Sequence, residues 1–117
     1  MTLKDRIRFL TTPEDVDEFL AQNPLAVVFK AGTCHKTQET FSQVQPLLEA
    51  RPDLPLGVIR VVEARPASNR VAEVTGLRHE SPQLILFKDG RVVFDRDNWD
   101  ITGESFASAL GERLAPV

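Results

Sequence analysis

The chain has 117 residues, of which 42% are hydrophobic, so it has enough apolar side chains for one domain and too few residues for two. Its 17 acidic and 14 basic residues give a net charge of -3, a balance that does not favour a nucleic-acid-binding protein. Residues 25–29 form the longest apolar run, which is far shorter than the roughly 20 residues that cross a bilayer. Together with the charge balance, this predicts a cytoplasmic protein with neither nucleic-acid nor membrane partners.

The first part of the chain predicts an edge strand, a helix and a buried strand. Weak alternation of apolar and polar residues over 3–10 favours the edge strand. Thr12 is a typical N-cap residue, and the proline and two carboxylates that follow it favour a helix over Pro13–Gln22. The continuous apolar run over 25–29 is typical of a strand that is buried on both faces of a sheet, so this strand should be central.

A short turn over residues 30–34 separates this strand from a second helix. Phe41, Val44 and Leu48 share one face of that helix. Pro46 lies inside the helical pattern and cannot donate a backbone hydrogen bond, so it either kinks the helix or begins a second piece.

A second strand, over residues 56–62, has the apolar pattern of a buried parallel strand. Pro66 opens the next helix, and Gly76 is placed to cap its C-terminus. The residues predicted to form the apolar side of this helix are Ala67, Val71, Ala72 and Val74.

The C-terminal part predicts a β-hairpin and a helix. Asp89-Gly90 is a typical tight-turn sequence between strands over 84–88 and 91–95. The final helix, over 103–114, should bury Phe106, Leu110 and Leu114. The order βαβαβ-α-ββα predicts a thioredoxin-like α/β fold, in which helices flank a mixed central sheet.

Cys34 is the only cysteine, so no intrachain disulfide can form. It follows the first buried strand and begins a helix, and the charged residues nearest to it are Lys30 and Lys36. Helix N-terminal amides and nearby cations stabilise a thiolate. A small buried hydrophobe is the alternative role for a lone cysteine. The position favours a catalytic thiol, with Thr33, His35, Lys36 and Thr37 as the residues expected to stabilise its thiolate.

Thr37 occupies the place of the second cysteine in a Cys-x-x-Cys centre. Its hydroxyl can donate a hydrogen bond to a thiolate but cannot release a partner that is bound to Cys34. Thr37 is equally compatible with an ordinary position on the helix surface. If Cys34 is catalytic, an external thiol must therefore resolve the mixed disulfide, which defines a monothiol mechanism.

Ser81-Pro82 precedes the first strand of the hairpin. In a thioredoxin-like fold this place holds a cis-proline beside the active sulfur, so we expect a cis peptide and a substrate-binding role for Ser81 and Pro82. A trans peptide at a plain strand start is the alternative. His35 and His79 lack the spacing of metal ligands with Cys34, so no metal site is predicted, and His79 is expected in a polar loop. Trp99 is expected to cover an edge of the sheet.

The chain resembles the monothiol bacilliredoxins, thioredoxin-like proteins of bacteria that make bacillithiol. The segments that carry the resemblance are Thr33-Cys34, Val62-Glu63-Ala64-Arg65-Pro66-Ala67-Ser68-Asn69, His79-Glu80-Ser81-Pro82-Gln83, Lys88-Asp89-Gly90 and Asn98-Trp99-Asp100-Ile101-Thr102. The family usually follows its cysteine with a proline and a small apolar residue, whereas this chain has His35 and Lys36. These two residues should favour the thiolate and offer a cationic site to the carboxylates of bacillithiol.

The resemblance implies that Cys34 attacks bacillithiolated proteins and takes bacillithiol onto itself as a transient adduct. A second bacillithiol or a dedicated reductase then frees Cys34, and no tightly bound cofactor is required. Two other functions stay open at this point. One is an iron-sulfur carrier of the monothiol glutaredoxin type, although the Cys-Gly-Phe-Ser pattern of that role is missing. The other is a non-catalytic thioredoxin-like module that binds extended peptides.

Overall fold

A five-stranded mixed sheet forms the centre of the protein, in a computed structural model that describes residues 2–113. In chain order the elements are α1 (Leu3–Arg6), β1 (Ile7–Phe9), α2 (Pro13–Gln22), β2 (Leu25–Ala31), α3 (His35–Glu49), β3 (Leu56–Arg60), α4 (Arg65–Thr75), β4 (Gln83–Lys88), β5 (Arg91–Asp97), a 3-10 turn (Asn98–Asp100) and α5 (Gly103–Arg113). The strand order is β1-β3-β2-β4-β5. The first three strands run parallel, while β4 and β5 are antiparallel to their neighbours.

The central strand β2 divides two hydrophobic clusters. Val27 and Phe29 join one cluster with residues of α3 and α5, and Ala26 and Val28 join the other with residues of α2 and α4. Successive side chains of a strand point to opposite faces, so a strand that is covered on both faces needs apolar residues at consecutive positions. This requirement explains the continuous apolar run and confirms the central strand.

The N-terminal prediction was partly wrong, because a short helix precedes the edge strand. Thr2 and Asp5 form a capping box around α1, and Leu3 is buried. The guanidinium of Arg6 donates hydrogen bonds to the carbonyls of Leu48, Arg51 and Leu54 at 2.9–3.2 Å. These contacts hold the first residues as a helical turn and leave only Ile7–Phe9 for the strand.

The helix after Cys34 is continuous over His35–Glu49, so Pro46 begins no second piece. Pro46 lies in the last turn, where the loss of one backbone hydrogen bond interrupts few others. The parallel strand β3 ends at Arg60 rather than at residue 62. The Arg60 carbonyl accepts hydrogen bonds from the amides of Glu63 and Ala64, and these bonds turn the chain toward α4.

The buried side of α4 also differs from the prediction. It consists of Ala67, Ser68 and Val71, whereas Val74 is exposed. Gly76 caps the helix in the left-handed region with φ 73°, as predicted. Phe106 and Leu110 of α5 are buried as expected, and Leu114 lies outside the described residues.

The hairpin has the predicted tight turn. Asp89 and Gly90 both have positive φ, of 54° and 78°, which matches the twist of the flanking strands. Within residues 2–113, no helix combines the length and apolar character needed to cross a membrane.

A substitution at Gly57 of β3 tests how closely Leu10 and α2 pack on the sheet. A Cβ at this position would lie 2.8 Å from Leu10 Cδ1 and 3.1 Å from Phe19 Cε2, and both side chains are buried. We expect Gly57→Ala to lower the free energy of unfolding by about 1–3 kcal/mol in urea denaturation. Gly111→Ala is the matched control, because its Cβ would meet nothing within 4 Å. Equal stabilities of the two variants would contradict the packing.

Candidate active site

Cys34 lies at the N-cap of the 15-residue helix α3, three residues after the end of β2, and its side chain is exposed. The sheet buries β2 up to Lys30, so the chain emerges at the carboxyl edge of the parallel strands just before the cysteine. The N-terminal amides of a helix carry a partial positive charge, which favours an anion at the N-cap. The position of Cys34 is therefore the one that its sequence context predicts for a reactive thiol.

Gly32 allows the loop before Cys34 to pack closely against two neighbouring side chains. A Cβ at Gly32 would lie 3.1 Å from Ser81 Oγ and 3.3 Å from Thr37 Oγ1. The Ser81-Pro82 peptide is cis, as predicted. The structure thus places Ser81 and Thr37 against the loop that carries Cys34.

The Thr37 hydroxyl links the backbone of this loop to the sulfur. The amide N–H of Gly32 donates a hydrogen bond to Thr37 Oγ1 at 3.0 Å, and this oxygen lies 4.0 Å from Cys34 Sγ. Since Oγ1 accepts from Gly32, its own hydrogen is available to the sulfur.

Several groups of the first turn of α3 hold the pKa of the Cys34 thiol below its usual value. The amide of Thr37 has the largest effect, and the Thr37 hydroxyl, the amide of Lys36 and the charge of Lys36 act in the same direction. Desolvation of the sulfur opposes them. A lower pKa increases the fraction of the nucleophilic thiolate at neutral pH.

The Lys36 side chain bridges two segments around the thiol. Its Nζ donates a hydrogen bond to Asn98 Oδ1 at 2.7 Å and lies 5.9 Å from the ring centroid of Trp99. The amide N–H of Asn98 donates to the Pro82 carbonyl at 2.9 Å. Trp99 is 59% exposed, so the prediction that it covers a sheet edge was wrong. Asn98 has φ 51°, and its contact with Lys36 was not predicted from the sequence.

Thr33 and His35 are both exposed and contribute differently from the prediction. The Nε2 of His35 lies 2.8 Å from Glu39 Oε1, one helical turn further along α3. Neither side chain is among the groups that lower the pKa of Cys34. The geometry therefore favours Thr37 and Lys36 over Thr33 and His35 as stabilising residues.

A second polar cluster lies on the face of the sheet that α4 covers. Lys30 is fully buried, its Nζ donates to the Ser68 carbonyl at 3.0 Å, and it lies 3.2 Å from His79 Nδ1. Burial lowers the pKa of Lys30 to about 8, and desolvation, followed by the charge of Lys30, lowers the pKa of His79. His79 is exposed, but its Nδ1 faces this buried cluster rather than only a polar loop.

The sequence contains one signal for this cluster, because Lys30 follows four buried residues of a central strand. The predicted turn over residues 30–34 was wrong for Lys30, which lies within β2 and is buried. Among residues 2–113, no three His, Cys, Asp or Glu side chains are grouped so that they could hold a metal ion.

A comparison with models of protein families identifies the family of this chain. The family model described as monothiol bacilliredoxin BrxC matches residues 8–106. The chain belongs to the monothiol bacilliredoxin family.

Solved structures of similar proteins share the fold. A protein described as an oxidoreductase with a thioredoxin fold has a TM-score of 0.82 and 28% identity, over 91% of this chain and 95% of that one. Mitochondrial thioredoxin 3 from Saccharomyces cerevisiae has a TM-score of 0.73 and 20% identity, over 91% of this chain and 94% of that one. A poplar thioredoxin h has a TM-score of 0.74 and 17% identity, over 96% of this chain and 99% of that one. These likenesses confirm the thioredoxin-like fold. The family and the first of these structures support a thiol redox role.

The groups around the sulfur predict how strongly substitutions at Thr37, Lys36 and His35 change the pKa of Cys34. We expect Thr37→Val to raise the pKa of Cys34, because the hydroxyl no longer donates to the thiolate, and Lys36→Gln to raise it less. The ultraviolet absorbance of the thiolate, followed against pH, measures both changes. His35→Gln is the control and should leave the pKa unchanged. A larger effect of His35→Gln than of Thr37→Val would contradict this account.

Burial of Lys30 predicts a dependence of stability on pH. The unfolded chain keeps the Lys30 proton up to the ordinary pKa of 10.5, whereas the folded protein releases it near pH 8. Between these values the unfolded state binds more protons, so the free energy of unfolding should rise with pH, by about 3 kcal/mol at most.

Denaturation of Cys34→Ser with and without Lys30→Met measures this rise without any contribution from the thiol. We expect Lys30→Met to flatten the increase between pH 8 and 10.5, because methionine carries no proton to release. An identical pH dependence in the two proteins would show that Lys30 is not desolvated.

Proposed function

We propose that the protein removes bacillithiol from protein mixed disulfides, with Cys34 as the nucleophile. The observation that carries the proposal is the exposed Cys34 at the N-terminus of α3, with a lowered pKa and with Thr37 in place of a second cysteine. Membership of the monothiol bacilliredoxin family supports bacillithiol as the small thiol.

In the first step, the Cys34 thiolate attacks the bacillithiol sulfur of the mixed disulfide. A disulfide forms between Cys34 and bacillithiol, the bond between bacillithiol and the client protein breaks, and the client cysteine leaves as a thiolate that takes up a proton from water. One disulfide replaces another, so the exchange needs no further oxidant or reductant.

In the second step, a thiol from outside the chain frees Cys34. The thiolate of a second bacillithiol attacks the adduct, the Cys34 thiolate leaves, and bacillithiol disulfide is the product. A reductase with two thiols would release bacillithiol and become oxidised instead. The chain cannot perform this step alone because it contains one cysteine.

Ser81 and Pro82 support a binding edge for an extended client segment. They precede β4, and Ser81 packs beside the Gly32 loop that leads to the thiol. The exposed ring of Trp99 lies on the segment that Asn98 links to Pro82. We infer that the client backbone pairs with this edge and presents its mixed disulfide to Cys34.

The proposal predicts an adduct that depends on the lack of a resolving thiol. When the reduced protein is mixed with a bacillithiolated model protein, intact mass should show one bacillithiol on Cys34, and none on Cys34→Ser. In Thr37→Cys the adduct should be short-lived, since the introduced thiol replaces an oxygen 4.0 Å from Sγ and can displace bacillithiol.

Absence of the adduct in the wild-type protein would overturn the proposal. If the protein then retained the model substrate without exchange, a peptide-binding module would be the correct class. A stable adduct in both the wild type and Thr37→Cys would contradict the resolving role that the position implies.

A further inference from the structure

A polar pocket of about 210 Å³ lies beside the N-terminus of α4, and it plays no part in the chemistry described above. It is lined by Val61, Val62, Arg65, Ser68, Asn69 and His79. Val61 follows β3, and its amide donates to the Ala31 carbonyl at the end of β2. The pocket therefore opens at the same edge of the sheet as the loop that carries Cys34.

Two cations, Arg65 and Lys30, lie at or behind this pocket. Arg65 and His79 line it, and the buried ammonium of Lys30 lies directly behind His79. Among residues 2–113, no carboxylate forms an ion pair with Lys30. The charge of Glu80 acts on His79 in the opposite direction to those of Lys30 and Arg65. A buried charge is poorly screened, so Lys30 contributes to the potential of the pocket although it is not on its surface.

The hydrogen-bond donors in the pocket suit an anion. His79 Nδ1 lies 3.0 Å from the Ser68 hydroxyl, which can donate to it, and 3.2 Å from the Lys30 ammonium, which can only donate, so the neutral ring accepts at Nδ1 and carries its hydrogen on Nε2. Arg65 adds a guanidinium and Asn69 an amide group that can donate. The pocket also lies at the N-terminus of the 11-residue helix α4, where the helix dipole favours an anion, and the N-cap residue, Ala64, makes no side-chain hydrogen bond.

The cations that the sequence suggested for recognition of carboxylates have other partners. His35 lies 2.8 Å from Glu39, and Lys36 donates to Asn98 at 2.7 Å. We propose that the pocket of Arg65 and His79, backed by Lys30, binds a carboxylate group of the small thiol during its transfer to Cys34. This inference rests on the proposed function, since it names how that site recognises its substrate.

Two short stretches of backbone join residues around the pocket to residues around the thiol. Lys30 lies four residues before Cys34, and His79 lies two residues before Ser81, whose Oγ packs against Gly32. A small thiol that reaches from the sulfur of Cys34 along this edge would place its acidic end near Arg65. Binding there would orient the disulfide for attack and would compensate the buried charge of Lys30.

The first experiment tests the pocket without any thiol chemistry. The reduced protein is titrated with succinate, a dicarboxylate without sulfur, while nuclear magnetic resonance follows the His79 ring and the amides of residues 65–69. We expect saturable shifts and a higher pKa of His79, because a bound carboxylate favours its charged form. Arg65→Gln should weaken binding about tenfold.

Arg91→Gln is the matched control, because it removes the same charge at the hairpin beside the amino end of β2, whereas the pocket lies past its carboxyl end. It should bind succinate like the wild type. Shifts that do not saturate, equal weakening by both variants, or binding of inorganic phosphate as tight as that of succinate would each overturn the proposed carboxylate site.

The second experiment compares two mixed disulfides of one model protein, one with bacillithiol and one with 2-mercaptoethanol, which has no carboxylate. Arg65→Gln should slow transfer of bacillithiol to Cys34 by about tenfold and leave transfer of 2-mercaptoethanol unchanged. Equal slowing of both would overturn the proposal. If the wild type transferred neither thiol, the proposed function would fail, and the succinate titration would still decide on the pocket.

Discussion

The position of the Cys34 thiol depends on the contacts of the Thr37 hydroxyl. This hydroxyl accepts a hydrogen bond from the Gly32 amide on one side and faces the sulfur of Cys34 on the other. Gly32 belongs to the loop after β2, whereas Thr37 belongs to the first turn of α3, so this hydroxyl joins the end of the strand to the start of the helix. The same arrangement leaves the sulfur exposed above the helix N-terminus, where a thiolate is stabilised.

The sequence was sufficient for the parts of the fold that local patterns determine. The apolar run of β2, the Thr12 cap of α2 and the Asp89-Gly90 turn are each specified by neighbouring residues, and the structure confirms them. The short helix α1 was missed although Thr2 and Asp5 form a local capping box, because its four residues show no helical period and Arg6 holds them through carbonyls more than 40 residues away. Such a contact leaves no periodic pattern in the sequence that could indicate it.

The candidate site shows the same division between local and distant contacts. The position of Cys34 at a helix N-terminus and its relation to Thr37 follow from residues within one turn. The partners of Lys36 and Lys30 lie 62 and 49 residues away. Tertiary contacts hold Lys30 at His79 and Ser68, away from the thiol, whereas Lys36 bonds to Asn98 and its charge still lowers the pKa of Cys34.

The replacement of a second cysteine by Thr37 links the chemistry of the sulfur to the charge around it. A hydroxyl keeps the thiolate stabilised but leaves the adduct on Cys34 until an outside thiol arrives. Turnover then depends on how well the site accepts a small thiol, in addition to the client protein. A fully buried ammonium without a carboxylate partner among residues 2–113 is costly for the fold, and hydrophobic replacement would remove that cost. The proposed carboxylate site gives this charge a role beside the reacting edge, because a bound anion would compensate it.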